Sequence, residues 1–214
     1  NTTGSNNTAS GYYSLLSNTT GTRNLAIGYR AYDAADTEDD NLAIGHNALG
    51  GAIAGGEKNV AIGNYSLDAA TSGDNNTATG YDALTGNTTG ADNTALGYDA
   101  GDVITTGSQN VISGSGSDPS ANSASNQIVI GYGATGHGDN IAVIGNGSAT
   151  AIHPHDDNEV DLGSSSYEYK DLYVDGTAYV DAIGMGSTAM TLPTADGTAN
   201  YVLKTDGGGT LSWT

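Results

Sequence analysis

The chain has 214 residues, among them 33 Gly, 3 Pro, 13 Tyr, no Cys and no Phe, and its 5 Lys plus Arg stand against 24 Asp plus Glu for a formal charge of −19. Without Cys no disulfide scaffold can form, five scattered cations give no basic footprint for nucleic acid, and no apolar run nears the ~18 residues of a membrane-spanning helix. Apolar residues make up 36% of the chain, many of them Ala, against the ~45–50% usual in globular domains, so a thick core of large side chains is not expected.

In chain order, one phrase recurs: Asn, any residue, usually Ala, an apolar or small residue, then Gly. It runs Asn7-Thr8-Ala9-Ser10-Gly11, Asn24-Leu25-Ala26-Ile27-Gly28, Asn41-Leu42-Ala43-Ile44-Gly45 and Asn59-Val60-Ala61-Ile62-Gly63. It continues as Asn76-Thr77-Ala78-Thr79-Gly80, Asn93-Thr94-Ala95-Leu96-Gly97 and Asn110-Val111-Ile112-Ser113-Gly114. Two longer versions start at Asn126 and Asn140 and end at Gly131 and Gly145. The closing glycines step by 17, 17, 18, 17, 17, 17, 17 and 14 residues. Such a steady period marks a repeat architecture.

A second Gly falls seven residues before many of the closing ones, at Gly21, Gly56, Gly73, Gly90 and Gly107, and a short apolar stretch follows the phrase, as in Tyr13-Ser14-Leu15 and Tyr65-Ser66-Leu67. Gly and Asn accept positive φ at least cost, so both suit the turns of a tight coil. Gly this frequent breaks any helical pattern. Short strands stacked on their counterparts in the next coil remain, and nine of them at ~4.8 Å make a rod roughly 40 Å long.

Within Leu25-Ala26-Ile27 the outer two residues face one way and Ala the other, and both faces are apolar. One face fills the coil interior. The other calls for a neighbouring chain, with Ala keeping that neighbour close. The Ala position becomes Ile112, Val129 and Val143 in the last coils, so that side widens.

The Asn-x-Ala-Ile-Gly phrase resembles the head repeats of trimeric autotransporter adhesins of the YadA type, over about residues 7–150. The resemblance implies an all-β fold: a homotrimeric, left-handed parallel β-roll or β-solenoid of about nine 17-residue coils, here residues 1–150, with coils longer than the family's common repeat. Beyond it, the stretch from Asp156 to Gly176, with Ser164-Ser165-Ser166-Tyr167-Glu168-Tyr169-Lys170-Asp171-Leu172-Tyr173-Val174-Asp175, resembles a module of tailed-phage fibres, as does Leu192 to Trp213. In such fibres these modules often precede a C-terminal trimerisation chaperone. Residues 151–184 are thus expected as a linker and fibre-type β module, and 185–214 as a β hairpin segment. Leu172-Tyr173-Val174 and Ala178-Tyr179-Val180 flank a turn at Asp175-Gly176, and Tyr201-Val202-Leu203 and Thr210-Leu211-Ser212-Trp213 flank Asp206-Gly207-Gly208-Gly209.

Gly131-Tyr132-Gly133-Ala134-Thr135-Gly136 matches a dinucleotide fingerprint, but another repeat strand rather than a helix follows, so it reads as a repeat turn. In His153-Pro154-His155 the alternate residues share a face, and three chains would bring six imidazoles to a three-fold axis, an octahedral set for an axial transition metal. The alternative is a linker with two solvated histidines. Asp33, Asp36, Glu38, Asp39 and Asp40, and then Asp156, Asp157, Glu159 and Asp161, offer oxygen ligands for Ca²⁺ but without a calcium-loop spacing, so solvated acidic loops are the expectation. Tyr12, Tyr29, Tyr81, Tyr98 and Tyr132 follow the phrase glycines and align with His46, Asn64 and Ser115 in a column. Exposed, this column is a receptor-binding candidate that would stack on sugars; buried, it seals a subunit interface, which is the preferred reading.

No catalytic motif stands out, so no enzymatic activity is expected. The function that these resemblances imply is a structural virion fibre of a tailed phage, a tail fibre or appendage on the particle surface. It would be a homotrimer attached to other tail, baseplate or capsid proteins, and it would bind a host-surface glycan or protein. The alternatives are a bacterial trimeric autotransporter adhesin passenger at the cell surface and a polysaccharide-degrading fibre.

Overall fold

Each recurring phrase folds as a three-residue strand closed by its glycine. The computed structural model describes residues 2–34, 37–51, 56–149, 151–152, 162, 164, 166–175, 182–185, 188–191, 202–205 and 211–214. Its strands in the first unit are β1 (Thr8–Ser10), β2 (Leu25–Ile27), β3 (Leu42–Ile44), β4 (Val60–Ile62), β5 (Thr77–Thr79), β6 (Thr94–Leu96), β7 (Val111–Ser113), β8 (Ile128–Ile130) and β9 (Ala142–Ile144). They form one parallel sheet in sequence order, and no helix occurs among the described residues. The register runs phrase to phrase: Ala26 pairs with Ala43, and Ala78 with Ala95. It survives the 18-residue step, where Ile44 pairs with Ile62, and the 14-residue step, where Val129 pairs with Val143. The nine strands are thus joined by eight coils of a β-solenoid, as the repeat period requires.

The strand faces are assigned oppositely to the packing expected from sequence. Ala26, Ala43, Ala61, Ala78 and Ala95 are fully buried inside the coil, while Ile27, Ile62 and Leu96 look outward. A 17-residue coil is narrow, and a methyl group is what its interior accommodates beside the second core column. That column is Leu15, Tyr32, Leu49, Leu67 and Leu84, each of which donates its N–H to the carbonyl of the next coil. In the next two coils the positions fall to Gly101 and Asp118, and the lost volume is recovered by Ile104 and by Ile112 and Val129 on the strands. The widening on the Ala side is therefore an internal compensation.

The phrase asparagines do not serve turns. Positive φ falls on the residue before each, Arg23 at 59°, Asp40 at 63° and Asn75 at 59° among them, and on two residues after each of the first six closing glycines, such as Asp82 and Leu84. Asn24, Asn41, Asn59, Asn76, Asn93 and Asn110 are instead buried and form a ladder. Each Oδ1 accepts the main-chain N–H of the next coil's equivalent residue, from Asn7 to Asn24 at 2.8 Å through to Asn110 and Gln127 at 3.0 Å. Each Nδ2 donates to a carbonyl 14 or 15 residues on, as from Asn59 to Gly73 at 2.9 Å. The two longer phrases are the same phrase with its ladder position filled by Gln127 and Ile141, while Asn126 and Asn140 sit at the positive-φ position before it.

The closing glycines make a second column, with φ near +140° in Gly11, Gly28, Gly45, Gly63, Gly80, Gly97, Gly114 and Gly131. A Cβ on any of the first seven would strike the backbone of the glycine one coil on. These residues therefore fix how closely coils stack.

The chain divides into residues 1–152 and 153–214. In the second unit β10 (Ala182–Met185) and β11 (Thr188–Thr191) pair antiparallel, as do β12 (Leu203–Thr205) and β13 (Leu211–Trp213). The latter pairs the two stretches expected to flank Asp206-Gly207-Gly208-Gly209, which lie outside the described residues, and is extended by paired bonds between Val202 and Thr214 at 2.8 and 3.0 Å. Leu172, Tyr173 and Val174 form no strand, and Ala178-Tyr179-Val180 lie outside the described residues.

Candidate functional site

Alternation along each strand leaves its first and third residues outside. Their stacking produces an outward face of two columns. One contains Leu25, Leu42, Val60, Thr77, Thr94, Val111 and Ile128, the other Ile27, Ile44, Ile62, Thr79, Leu96, Ser113, Ile130 and Ile144. Leu96 and Ile144 each keep more than half of their surface in solvent, at 54% and 56%. The face is apolar except at Thr77, Thr79, Thr94 and Ser113 in its middle coils. Contiguous exposed apolar surface of this kind marks interaction sites rather than ordinary solvent boundary.

Beside it runs the aromatic column, two residues past the outer strand column. Tyr12 stacks on Tyr29 with centroids 5.8 Å apart, Tyr29 on His46 at 5.2 Å, and Tyr81 on Tyr98 at 5.5 Å with an interplanar angle of 11°. The fourth member is Tyr65 rather than its neighbour Asn64. Its positive φ of 60° turns it back into the column, edge-on to His46 at 4.9 Å and to Tyr81 at 5.7 Å. Asn64 instead caps the N–H of His46 at 2.9 Å. The column is continuous from Tyr12 to Tyr98 and breaks at Ser115. Tyr132, 76% exposed, has no aromatic neighbour among the described residues. Within each stacked pair the rings partly cover one another's faces, and the Tyr98 hydroxyl is hydrogen-bonded to Asp99.

The acidic loop resolves into separate pairings. Asp39 accepts from the Thr22 N–H at 2.6 Å and its hydroxyl at 2.9 Å, which with Arg23 holds its carboxyl below the usual range. Asp40 pairs with Arg23, and Asp33 with Arg30 at 3.0 Å. Among the described residues no three His, Asp or Glu side chains converge on a point where a metal would sit. Asp36, His153, His155, Asp156, Asp157, Glu159 and Asp161 lie outside the described residues.

One carboxylate was not singled out by its sequence. Asp118 occupies the core column of Leu67 and Leu84, donating its N–H to the carbonyl of Ala134 at 2.9 Å. Its Oδ1 is buried without a hydrogen-bond partner. Burial, with the negative charge of Asp102 beside it, pushes its carboxyl up to about 6. The Asp118-Pro119 dipeptide reads as a turn, and only the 17-residue alignment with Leu84 and Gly101 exposes it as a half-buried position at the foot of that column.

At the C-terminal end of the solenoid an open hollow of about 400 Å³ is lined by Thr135, His137, Val143 and Asn146 among others. It lies where the last inward residue, Val143, is only half-buried. No family model matches the chain, and no curated protein or solved structure matches it.

Proposed function

We propose that the chain is a structural fibre, a virion tail fibre or appendage of a tailed phage, which assembles as a homotrimer and attaches to the host surface. The observation that carries the reading is the outward face of β2–β9. Its Leu, Ile and Val, interrupted only by Thr77, Thr79, Thr94 and Ser113 and half or more exposed in places, are costly to a lone chain and productive between chains, at ~25 cal/mol for each Å² removed from water. The aromatic column flanks that face and would seal the rim of the subunit contact, Tyr and His edges offering hydrogen bonds to the partner. In this reading the coil is a spacer and attachment is by avidity, three weak contacts acting together on a surface glycan or protein.

The test is solution mass by light scattering at low and high salt, followed by binding of the purified protein to whole bacterial cells and to a glycan array. A mass near three times 21.4 kDa with saturable cell binding is the expected result. A monodisperse species of 21.4 kDa overturns the trimer, and a trimer that binds neither cells nor glycans overturns the attachment role.

A further inference from the structure

Residues 1–152 contain no Cys, Met or Trp; both methionines, Met185 and Met190, and Trp213 lie beyond them. The usual sinks for oxidants are therefore missing from the solenoid. Tyrosine is its most readily oxidised side chain. Tyr32 is buried and accepts a hydrogen bond from Asn41 at 2.5 Å, while the others lie on the outside. Tyr12 and Tyr13 lie closest, at 3.9 Å, but are adjacent in sequence and join no two coils. Of the pairs that bridge coils, Tyr81 and Tyr98 are the most nearly parallel, at 5.5 Å and 11°, both about half exposed and on coils whose strands are locked in register.

We propose that Tyr81 and Tyr98 are a site of oxidative cross-linking to dityrosine by a peroxide-class oxidant acting in one-electron steps. Each phenol gives one electron to the oxidant and its hydroxyl proton to solvent or to the neighbouring carboxylates of Asp82 and Asp99. The two phenoxyl radicals couple through a ring carbon beside each hydroxyl, forming one C–C bond. The hydrogens on those carbons shift to the oxygens and restore both rings. Two hydrogens leave the protein for each link, and one peroxide is reduced to two waters. The link closes a loop of 17 residues between coils held otherwise by hydrogen bonds and small core contacts, and so resists their separation. Stacked, exposed rings need only side-chain rotation to bring the coupling carbons together. Tyr132, isolated by Ser115, has no partner within one coil and serves as an internal control.

The experiment treats the full chain, as isotopically light and heavy copies unfolded and refolded together in equal amounts so that any assembly contains both, with hydrogen peroxide and a haem peroxidase, and maps cross-linked peptides by mass spectrometry. The expected result is a Tyr81–Tyr98 link that dominates among links between coils, within single copies, lighter by two hydrogens and carrying dityrosine fluorescence. Tyr98→Phe abolishes that link, with an unchanged circular dichroism spectrum showing that the fold is kept. Coupling of Tyr132 as frequent as that of Tyr98, links mainly between light and heavy copies, or no Tyr81–Tyr98 peptide overturns the proposal.

Discussion

The Oδ1 of Asn76 accepts two hydrogen bonds from Asn93, one from its main-chain N–H at 3.0 Å and one from its Nδ2 at 3.1 Å. The Nδ2 of Asn76 in turn reaches the carbonyl of Gly90 at 2.8 Å. One buried amide thus ties a strand to the following coil at both its start and its far turn. Replacing it with Ala leaves the buried Asn93 N–H without its acceptor, worth about 1–3 kcal/mol, and removes one of the two donors to the Gly90 carbonyl, which keeps Asn87 at 3.0 Å. Asn76→Ala is therefore expected to destabilise the solenoid by about 1–3 kcal/mol, read as a lowered denaturation midpoint. Hydrogen exchange should rise first at the Asn93 amide, while the Gly90 amide, which donates to Asn87 Oδ1 at 2.9 Å, keeps its bond.

Gly80 and Gly116 both have positive φ, at 146° and 60°, yet a Cβ at Gly80 would strike the Gly97 backbone while one at Gly116 meets nothing within 4 Å. Gly116→Ala should cost only the left-handed backbone penalty of ~1–2 kcal/mol. Gly80→Ala should cost clearly more, because two coils must part. Thermal melts of the two variants side by side check this, and equal losses would contradict the close-stacking role of the glycine column.

The Asp118 carboxyl binds its proton more tightly in the folded chain, up to about 6 against an ordinary 3.8. Its contribution to stability is thus fully present below the ordinary value, and is lost as pH rises through about 6. Asp118→Asn removes this dependence. It should raise the melting temperature above neutral pH and leave it unchanged in acid, by an amount on the order of 1–2 kcal/mol after allowance for partial exposure. Asp39, Asp40 and Asp139 act in the opposite sense on the acid side. Their carboxyls are held low, so what they add is lost as pH falls below the ordinary carboxylate range. Melts of the wild type and Asp118→Asn across pH separate the two limbs.

Leu96 and Ile130 protrude from the outward face, 54% and 41% exposed. Leu96→Glu together with Ile130→Glu should leave the melting temperature of the isolated coil within about 1 kcal/mol of its parent, as surface changes do. In an assembly through this face the same change should reduce the light-scattering mass to that of one chain. An assembly of unchanged mass would place its contact elsewhere.

The parallel solenoid was legible from the closing glycines alone, because a residue that must keep φ near +140° under a neighbouring backbone tolerates no substitute and so keeps the period visible. The purpose of the asparagines was not. Asn suits both a left-handed turn and a buried ladder, and sequence does not say which of Asn126 and Gln127 enters the ladder. The strand faces were likewise ambiguous, since Leu25, Ala26 and Ile27 are all apolar and only the narrowness of the coil sends Ala inward. In the aromatic column, Tyr65 was hidden because spacing alone aligned Asn64.

The pairing of Ile44 with Ile62 across an 18-residue step shows that a surplus residue is absorbed outside the strands. Whole coils therefore behave as interchangeable increments. Duplication or deletion of one 17-residue unit would change the reach of residues 1–152 by about 4.8 Å while each remaining phrase found an equivalent neighbour. A gene encoding such a protein can tune length by recombination between its own repeats, and lineages under different spatial demands should differ in coil number before they differ in coil chemistry.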